Sequence, residues 1–256
     1  MEALPDRLAR PLQGRNAVVT GGPGPVTAAI ARRMLADGAA VLTTAPDDDA
    51  ALALEAELGD GGGAAYAIVA DPSRARDMDA VFGEALRVFG GVDVAVAVAT
   101  APPAPAASDP FALDDAAFER ALLAALRPAF AGAQRAARLM AGRGQGGSVV
   151  LVADLSAPGG APPGLTSAVA TGALEALARG MAAAAGGRGV RVNLVRAVHG
   201  GDTPLGVTAT GEIAPPLGAP ATAADVAAAV AFLASPRASY VSGAVLPVDG
   251  GLECLR

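Results

Sequence analysis

The sequence predicts a single α/β domain, with a doubly wound, seven-stranded and mostly parallel sheet and helices on both faces. Short β-branched, apolar runs alternate with longer amphipathic stretches along the whole chain. Strands that alternate with helices form parallel βαβ units. Nearly continuous apolar strands are typical of a sheet that is covered on both faces. We therefore expect residues 1–256 to form one domain, a size that buries an ample core.

Each element is placed by its apolar pattern and by the Gly, Pro or charged residues beside it. The predicted strands are Asn16–Thr20, Ala39–Thr44, Ala64–Val69, Val92–Val98, Ser148–Val152, Val190–Val195 and Ala244–Val248. The predicted helices are Val26–Asp37, Ala50–Leu58, Ala75–Phe89, Asp114–Met140, Ser167–Ala185 and Ala223–Ala234. Thr222 and Asp225 have capping-box spacing at the last helix start.

Three loops rich in Pro, Gly and Ala follow strands, at residues 101–110, 157–166 and 200–220. They are expected at the carboxyl edge of the sheet, where ligands bind in open α/β folds. The third loop is long enough to act as a lid over a substrate.

Composition narrows the classes of function. The net charge of −6 argues against nucleic-acid and anionic-membrane partners. No apolar run is long enough for a membrane span, and Met1–Gln13 lacks the apolar core of a signal peptide, so we expect a cytoplasmic protein. Cys254 is the only cysteine and His199 the only histidine, which leaves no credible metal site. With 3% aromatics and no Trp, the core is expected to consist of Ala, Val and Leu.

Several segments together carry a family resemblance. They are Leu12–Gly22 (LQGRNAVVTGG), Asp71-Pro72, Phe89–Val94 (FGGVDV), Gly189–Asn193 (GVRVN) and the run from Phe232 to Gly251 that ends in VSGAVLPVDGG. In this order and spacing they resemble the short-chain dehydrogenase/reductase family over essentially the whole chain. The resemblance implies a Rossmann-type fold. It does not by itself give the function.

The glycine fingerprint of that family, Thr-Gly-x-x-x-Gly-x-Gly, is altered here. Gly21 is retained, but Pro25 and Thr27 stand at the second and third glycines. The second glycine lets backbone approach the pyrophosphate, and the third allows close helix–strand packing. Gly22 and Gly24 offer a shifted turn that still binds phosphate. The alternative is a tight turn that binds nothing.

Other cofactor positions differ as well. The acidic residue that favours NAD in the family falls at Ala45, and the following Asp47–Asp49 would repel the 2′-phosphate of NADP(H). This acidic run also suits a solvated helix start. Asp71 matches a position that contacts the adenine in the family. We expect no cofactor, with weak NAD(H) binding through Gly21, Gly22, Gly24 and Asp71 as the alternative.

The resemblance also locates the catalytic positions. The tyrosine and lysine of the family fall at Ser167 and Thr171, the serine at Asp154 and the asparagine at Ala125. All 19 Lys+Arg residues are arginine, so no lysine can lower the pKa of a proton donor. A serine hydroxyl without a base does not replace an activated phenol at neutral pH. Ordinary hydride transfer is therefore not expected.

Three functions stay open. The first is a non-catalytic scaffold or regulatory subunit, assembled as a homodimer, a homotetramer or a hetero-oligomer with an active family member. The apolar face of Phe118, Leu122, Leu126 and Phe130, the Ser167–Ala185 helix and the Ala238–Gly251 segment would form its contacts. The second is a cofactor-independent dehydratase, isomerase or cyclase of bacterial specialised metabolism, acting on a small molecule. The third is a weakly NAD(H)-binding oxidoreductase.

The second function depends on one pair of side chains. Asp154 and His199 follow neighbouring strands in the family's sheet, and an Asp–His pair can act as an oriented base. The hydroxyls of Ser156, Ser167 and Thr171, together with Asp202, are its candidate helpers. The alternative is that His199 is a solvated loop residue and that Asp154 caps a turn.

Overall fold

The structure is a computed structural model that describes residues 10–59, 63–100, 113–154, 165–197, 215–219 and 221–255. Its strands are β1 Asn16–Thr20, β2 Ala40–Ala45, β3 Ala65–Val69, β4 Val94–Thr100, β5 Gly147–Asp154, β6 Val190–Ala197 and β7 Val245–Val248. Its helices are α1 Pro25–Ala36, α2 Asp48–Gly59, α3 Ala75–Phe89, α4 Asp115–Arg143, α5 Leu165–Ala185 and α6 Ala223–Ala234.

The seven strands form one sheet in the order β3-β2-β1-β4-β5-β6-β7. Every strand pairing is parallel, which confirms the predicted doubly wound fold and makes it parallel throughout. The strand order reverses between β1 and β4. In open α/β sheets the ligand crevice lies outside the carboxyl ends of the strands at this switch point.

Helices bury both faces of the sheet. On one face α1 and α6 pack with Leu58 of α2, and on the other face α3, α4 and α5 cover the strands. The buried side chains are mainly Ala, Val and Leu, as expected, and Phe82 is the only buried aromatic within the described residues. Within the same residues, no helix is long and apolar enough to cross a membrane. These residues also contain no group of three or more His, Cys, Asp or Glu side chains that could hold a metal ion.

The GVRVN segment on β6 fastens the end of α6. The Arg191 guanidinium donates to the carbonyl oxygens of Leu233 at 2.8 Å and Ser235 at 3.3 Å, where the negative end of the helix dipole lies. Asn193 donates from Nδ2 to the Val241 carbonyl at 2.9 Å. The family motif at β6 therefore has a structural role, which is to tie α6 and the chain before β7 to the sheet.

The end of the predicted lid, residues 215–219, contacts the turn that follows β7. The Leu217 amide donates to the Gly250 carbonyl at 3.1 Å. Gly250 has a φ of 63°, and a Cβ there would lie 2.9 Å from Pro215 Cβ, so this close approach requires glycine. Residues 200–214 and 220 lie outside the described part of the chain, so the lid remains a prediction.

Candidate functional site

The glycine turn after β1 lies at the switch point of the sheet, against β4. A Cβ at Gly21 would lie 2.8 Å from Val98 Cβ, so only glycine allows this approach. Gly22 neighbours the end of β4, where a Cβ would lie 3.4 Å from Thr100 Oγ1. Gly24 is exposed, and no atom lies within 4 Å of the place where its Cβ would be. The turn is therefore packed on its inner side and open on its outer side.

The two departures from the glycine fingerprint fit the start of α1. Pro25 occupies the first helical position, where proline's fixed φ is favourable and its missing N–H is not needed by the helix. The Thr27 hydroxyl donates a hydrogen bond to the Gly22 carbonyl oxygen at 3.0 Å. The substitutions that we expected to weaken the turn are thus accommodated in a regular helix start.

Backbone donors gather at this turn. Within the described residues, the amides of Gly22, Gly24, Val26 and Thr27 donate no hydrogen bond to the protein. Gly24, the N-cap of α1, supplies no side-chain cap. Unpaired amides and the positive end of the helix dipole attract anions. The donor set therefore fits the pyrophosphate of a dinucleotide.

The acidic run after β2 begins a helix, as the helix-start interpretation predicted. The Asp47 carboxylate accepts a hydrogen bond from the Ala50 amide at 2.8 Å, and Asp48 and Asp49 lie in the first turn of α2. Ala45, at the end of β2, is buried. All three aspartates are exposed, so their negative charge faces solvent beside the end of β2.

Asp71 follows β3 at the same edge of the sheet, and its carboxylate holds the turn that leads into α3. The Ser73 hydroxyl and amide donate to Oδ1 at 2.7 and 2.9 Å, and Arg74 pairs with Oδ2 at 3.2 Å. The hydrogen bonds from Ser73, with a smaller contribution from the Arg74 charge, lower the pKa of Asp71. The side chain is exposed, and its contact with an adenine ring remains a prediction.

The residues at the catalytic positions are distributed over β5, α4 and α5. Asp154 is the last residue of β5, in register with Thr100 on β4 and Ala197 on β6. Ala125 is buried in α4. The predicted partner His199 lies outside the described residues, as do Ser156 and Asp202.

Ser167 and Thr171 lie one turn apart near the start of α5. The Thr171 hydroxyl donates to the Ser167 carbonyl oxygen at 2.8 Å, which is a bond within the helix. Both residues are only partly exposed. The Thr171 proton is thus bound to backbone, and a catalytic role of the two hydroxyls remains a prediction.

An ion-pair network, which the sequence did not reveal, fixes α5 against the sheet. Arg196 on β6 pairs with Glu175 of α5 at 3.1 Å and with Glu253 in the C-terminal 3-10 turn. Glu175 also pairs with Arg179 at 3.4 Å. Ser167 and Thr171 also lie on α5. The network therefore anchors their helix to β6, close to the carboxyl end of that strand.

Comparisons with known proteins agree with this fold and crevice. A family model described as enoyl-(acyl carrier protein) reductase matches residues 26–253. The chain is 33% identical to 3beta-hydroxysteroid dehydrogenase 1 of Eggerthella lenta, over 94% of each protein. It is 36% identical to cis-4-hydroxycyclohexanecarboxylate dehydrogenase of Sinomonas cyclohexanicum, over 93% of this chain and 96% of that one. The chain belongs to the short-chain dehydrogenase/reductase family.

A solved structure adds to these similarities. The crystal structure of hydroxysteroid dehydrogenase from Escherichia coli superposes with a TM-score of 0.81 and 27% sequence identity. The match covers 95% of this chain and 97% of that one. The likeness thus extends over nearly the whole length of both chains.

These similarities correct two expectations. The non-catalytic scaffold is wrong, because relatives that match the chain from end to end are named dehydrogenases. The absence of a cofactor is wrong for the same reason, because dehydrogenases and reductases of this family work with a nicotinamide dinucleotide. The cofactor-independent enzyme is wrong for the same reason, and the weakly NAD(H)-binding oxidoreductase stays a prediction.

Proposed function

We propose that the protein is an NAD-dependent oxidoreductase that oxidises a secondary hydroxyl group on an alicyclic ring to the ketone. The observation that carries the proposal is the end-to-end similarity to relatives whose names give such hydroxyl groups, on a steroid and on a cyclohexane ring. The open glycine turn with its unpaired amides supports it, because it fits the pyrophosphate of the cofactor.

The choice of NAD over NADP follows from charge. Asp47, Asp48 and Asp49 begin α2, directly after the strand end that lies beside the adenosine ribose in dinucleotide-binding folds. Their carboxylates repel the 2′-phosphate of NADP. They do not repel the 2′-hydroxyl of NAD, which is uncharged. Gly21, Gly22 and Gly24 would hold the pyrophosphate, and Asp71 lies on the adenine side.

Asp154 is the proposed proton acceptor. A bound NAD would supply the acceptor for the hydride of the carbinol carbon. The hydroxyl proton then needs a base, and this chain has no lysine and has serine at the tyrosine position. An aspartate carboxylate can take up such a proton as a general base. Asp154 occupies the middle of the carboxyl edge, between the ends of β4 and β6.

The proposal is tested by following NADH formation at 340 nm with NAD and a panel of probes: cyclohexanol, cis-4-hydroxycyclohexanecarboxylate and a 3β-hydroxysteroid. We expect NADH to form with at least one ring alcohol and more slowly with NADP in place of NAD. A primary alcohol such as ethanol is the matched negative probe. No turnover with any ring alcohol would exclude the proposed substrate class.

We also propose that the protein forms homodimers or homotetramers in solution. Leu123 and Phe130 are exposed on α4, and Leu165 and Val169 on α5, with 48% of Phe130 and 50% of Leu165 accessible. The two helices pack side by side, so these apolar side chains offer a surface to a second copy. Light scattering coupled to size exclusion measures the assembly, and a monomeric mass would contradict it.

A further inference from the structure

Two buried threonine hydroxyls hold the glycine turn from its inner side. Thr27, in the first turn of α1, donates to the Gly22 carbonyl oxygen at 3.0 Å. Thr44, on β2, donates to the Gly21 carbonyl oxygen at 3.2 Å. Only 5% of each threonine is exposed. Successive carbonyl groups of the turn are therefore bound from within the protein.

The position of Thr27 depends on the glycine opposite. A Cβ at Gly21 would lie 2.9 Å from Thr27 Oγ1, as well as 2.8 Å from Val98 Cβ. Because Gly21 has no side chain, the threonine hydroxyl fits between the helix and the turn. The family has a glycine at position 27, which leaves room between helix and turn. Here the missing side chain of Gly21 leaves that room for the Thr27 hydroxyl.

The direction of the Gly22 carbonyl matters for an anion. A carbonyl oxygen that faced the open side would present negative charge to a phosphate group, whereas backbone amides attract it. The Thr27 hydroxyl keeps the Gly22 oxygen on the inner side, while the amides of Gly22, Gly24 and Val26 have no partner within the described residues. The hydrogen bond from Thr27 to Gly22 therefore fixes the direction in which the backbone amides of the turn point.

We propose that Thr27 is a positioning residue for the cofactor pyrophosphate: its hydroxyl fixes the Gly22 peptide so that the amides of the turn face the phosphates. This inference rests on the proposed NAD-dependent function and adds a residue to it. Thr27 does not touch the reacting atoms. Its effect is on the affinity for phosphate-bearing ligands.

The test compares three variants by NADH titration and by adenosine titration, since adenosine lacks the pyrophosphate. Thr27→Val keeps the shape of the side chain and removes the hydroxyl, and we expect its Kd for NADH to rise about tenfold, the scale of one lost buried hydrogen bond. Thr27→Ser keeps the hydroxyl and should restore the wild-type Kd. The Kd for adenosine should be unchanged in both.

Ser148→Ala is the matched control. Ser148 is buried at the opposite end of the sheet, and its hydroxyl donates to the Leu233 carbonyl oxygen at 3.1 Å. It should lower Tm without changing the Kd for NADH. Equal NADH affinity in the wild type and Thr27→Val would overturn the positioning role while leaving the proposed function intact. An equal loss for NADH and adenosine would overturn it too, and a wild-type chain that binds no NADH would overturn both.

Discussion

Thr100 and Asp154 are register partners at the last residues of β4 and β5. Thr100 Oγ1 lies 3.4 Å from the place of a Cβ on Gly22, so the end of β4 connects the glycine turn to the strand end that carries Asp154. The glycine turn and the strand end that carries Asp154 thus lie at the same edge of the sheet, with β4 between them.

The first prediction concerns Asp154. Asp154→Asn removes the base but keeps a side chain of the same size, so we expect turnover of ring alcohols to fall at least about 100-fold. The Kd for NADH should not change, because the residue acts on the substrate proton. Asp115→Asn, an exposed aspartate in the first turn of α4, is the control for lost charge. Wild-type turnover in Asp154→Asn would show that another group takes the proton.

The second prediction concerns the choice of dinucleotide. The wild type should bind NADH about fivefold more tightly than NADPH, because the exposed aspartates together repel the 2′-phosphate by about 1 kcal/mol. Asp48→Asn combined with Asp49→Asn should narrow the ratio several-fold and leave Asp47 to cap α2. High salt should also reduce the difference in affinity between NADH and NADPH, because it screens the repulsion. The double variant Asp79→Asn/Glu84→Gln on α3 removes the same amount of charge elsewhere on the protein. If the ratio of NADPH to NADH affinity changed equally in this variant, a local effect of Asp48 and Asp49 would be contradicted.

The third prediction concerns the anchor of α6. Arg191→Met removes a guanidinium that bonds to carbonyl groups at the end of α6, and we expect the free energy of unfolding to fall by about 2–3 kcal/mol. Burial lowers the pKa of Arg191, and its N–H groups donate hydrogen bonds to the carbonyl oxygens around it. Chemical denaturation measures the change. Arg188→Met, an exposed arginine nearby, should cost less than about 0.5 kcal/mol.

The fourth prediction concerns pH. The hydrogen bonds that Thr222 donates, first from its side chain and then from its amide, lower the pKa of Asp225. A carboxyl whose pKa is lowered by folding stabilises the fold above its unfolded pKa, and this contribution is lost as the pH falls through the folded pKa. Asp225→Asn should therefore lower Tm at neutral pH, and the difference from the wild type should shrink as the pH falls below the unfolded pKa of an aspartate. A constant difference would contradict the capping role.

Much of the fold could be predicted from the sequence, because periodicity and capping signals act locally. The capping box of Thr222 and Asp225 forms as its spacing indicated. The boundaries that were missed depend on tertiary pairing: β5 continues past Val152 to Asp154 because β4 and β6 both extend alongside it. Likewise α4 continues past Met140 to Arg143 and ends at Gly144, which adopts the left-handed conformation.

The site was harder to predict. Asp154 was expected at the carboxyl edge, and its backbone lies there. The role of the Thr27 hydroxyl could not be read from the sequence, because it depends on how closely α1 approaches the turn. The expected non-catalytic function is wrong, because a residue that departs from a motif need not abolish what the motif does. Pro25 at the first helical position shows how a departure from a motif leaves the local structure intact.

The measurement that tests the central claim most directly is a titration of the purified chain with NADH, followed by the nicotinamide fluorescence. The chain has no Trp, so protein emission interferes little. We predict that NADH binds saturably and that added NAD displaces it. NADPH should reach the same saturation only at a higher concentration. No saturable binding up to millimolar NADH would contradict the account of this protein as an NAD-dependent oxidoreductase.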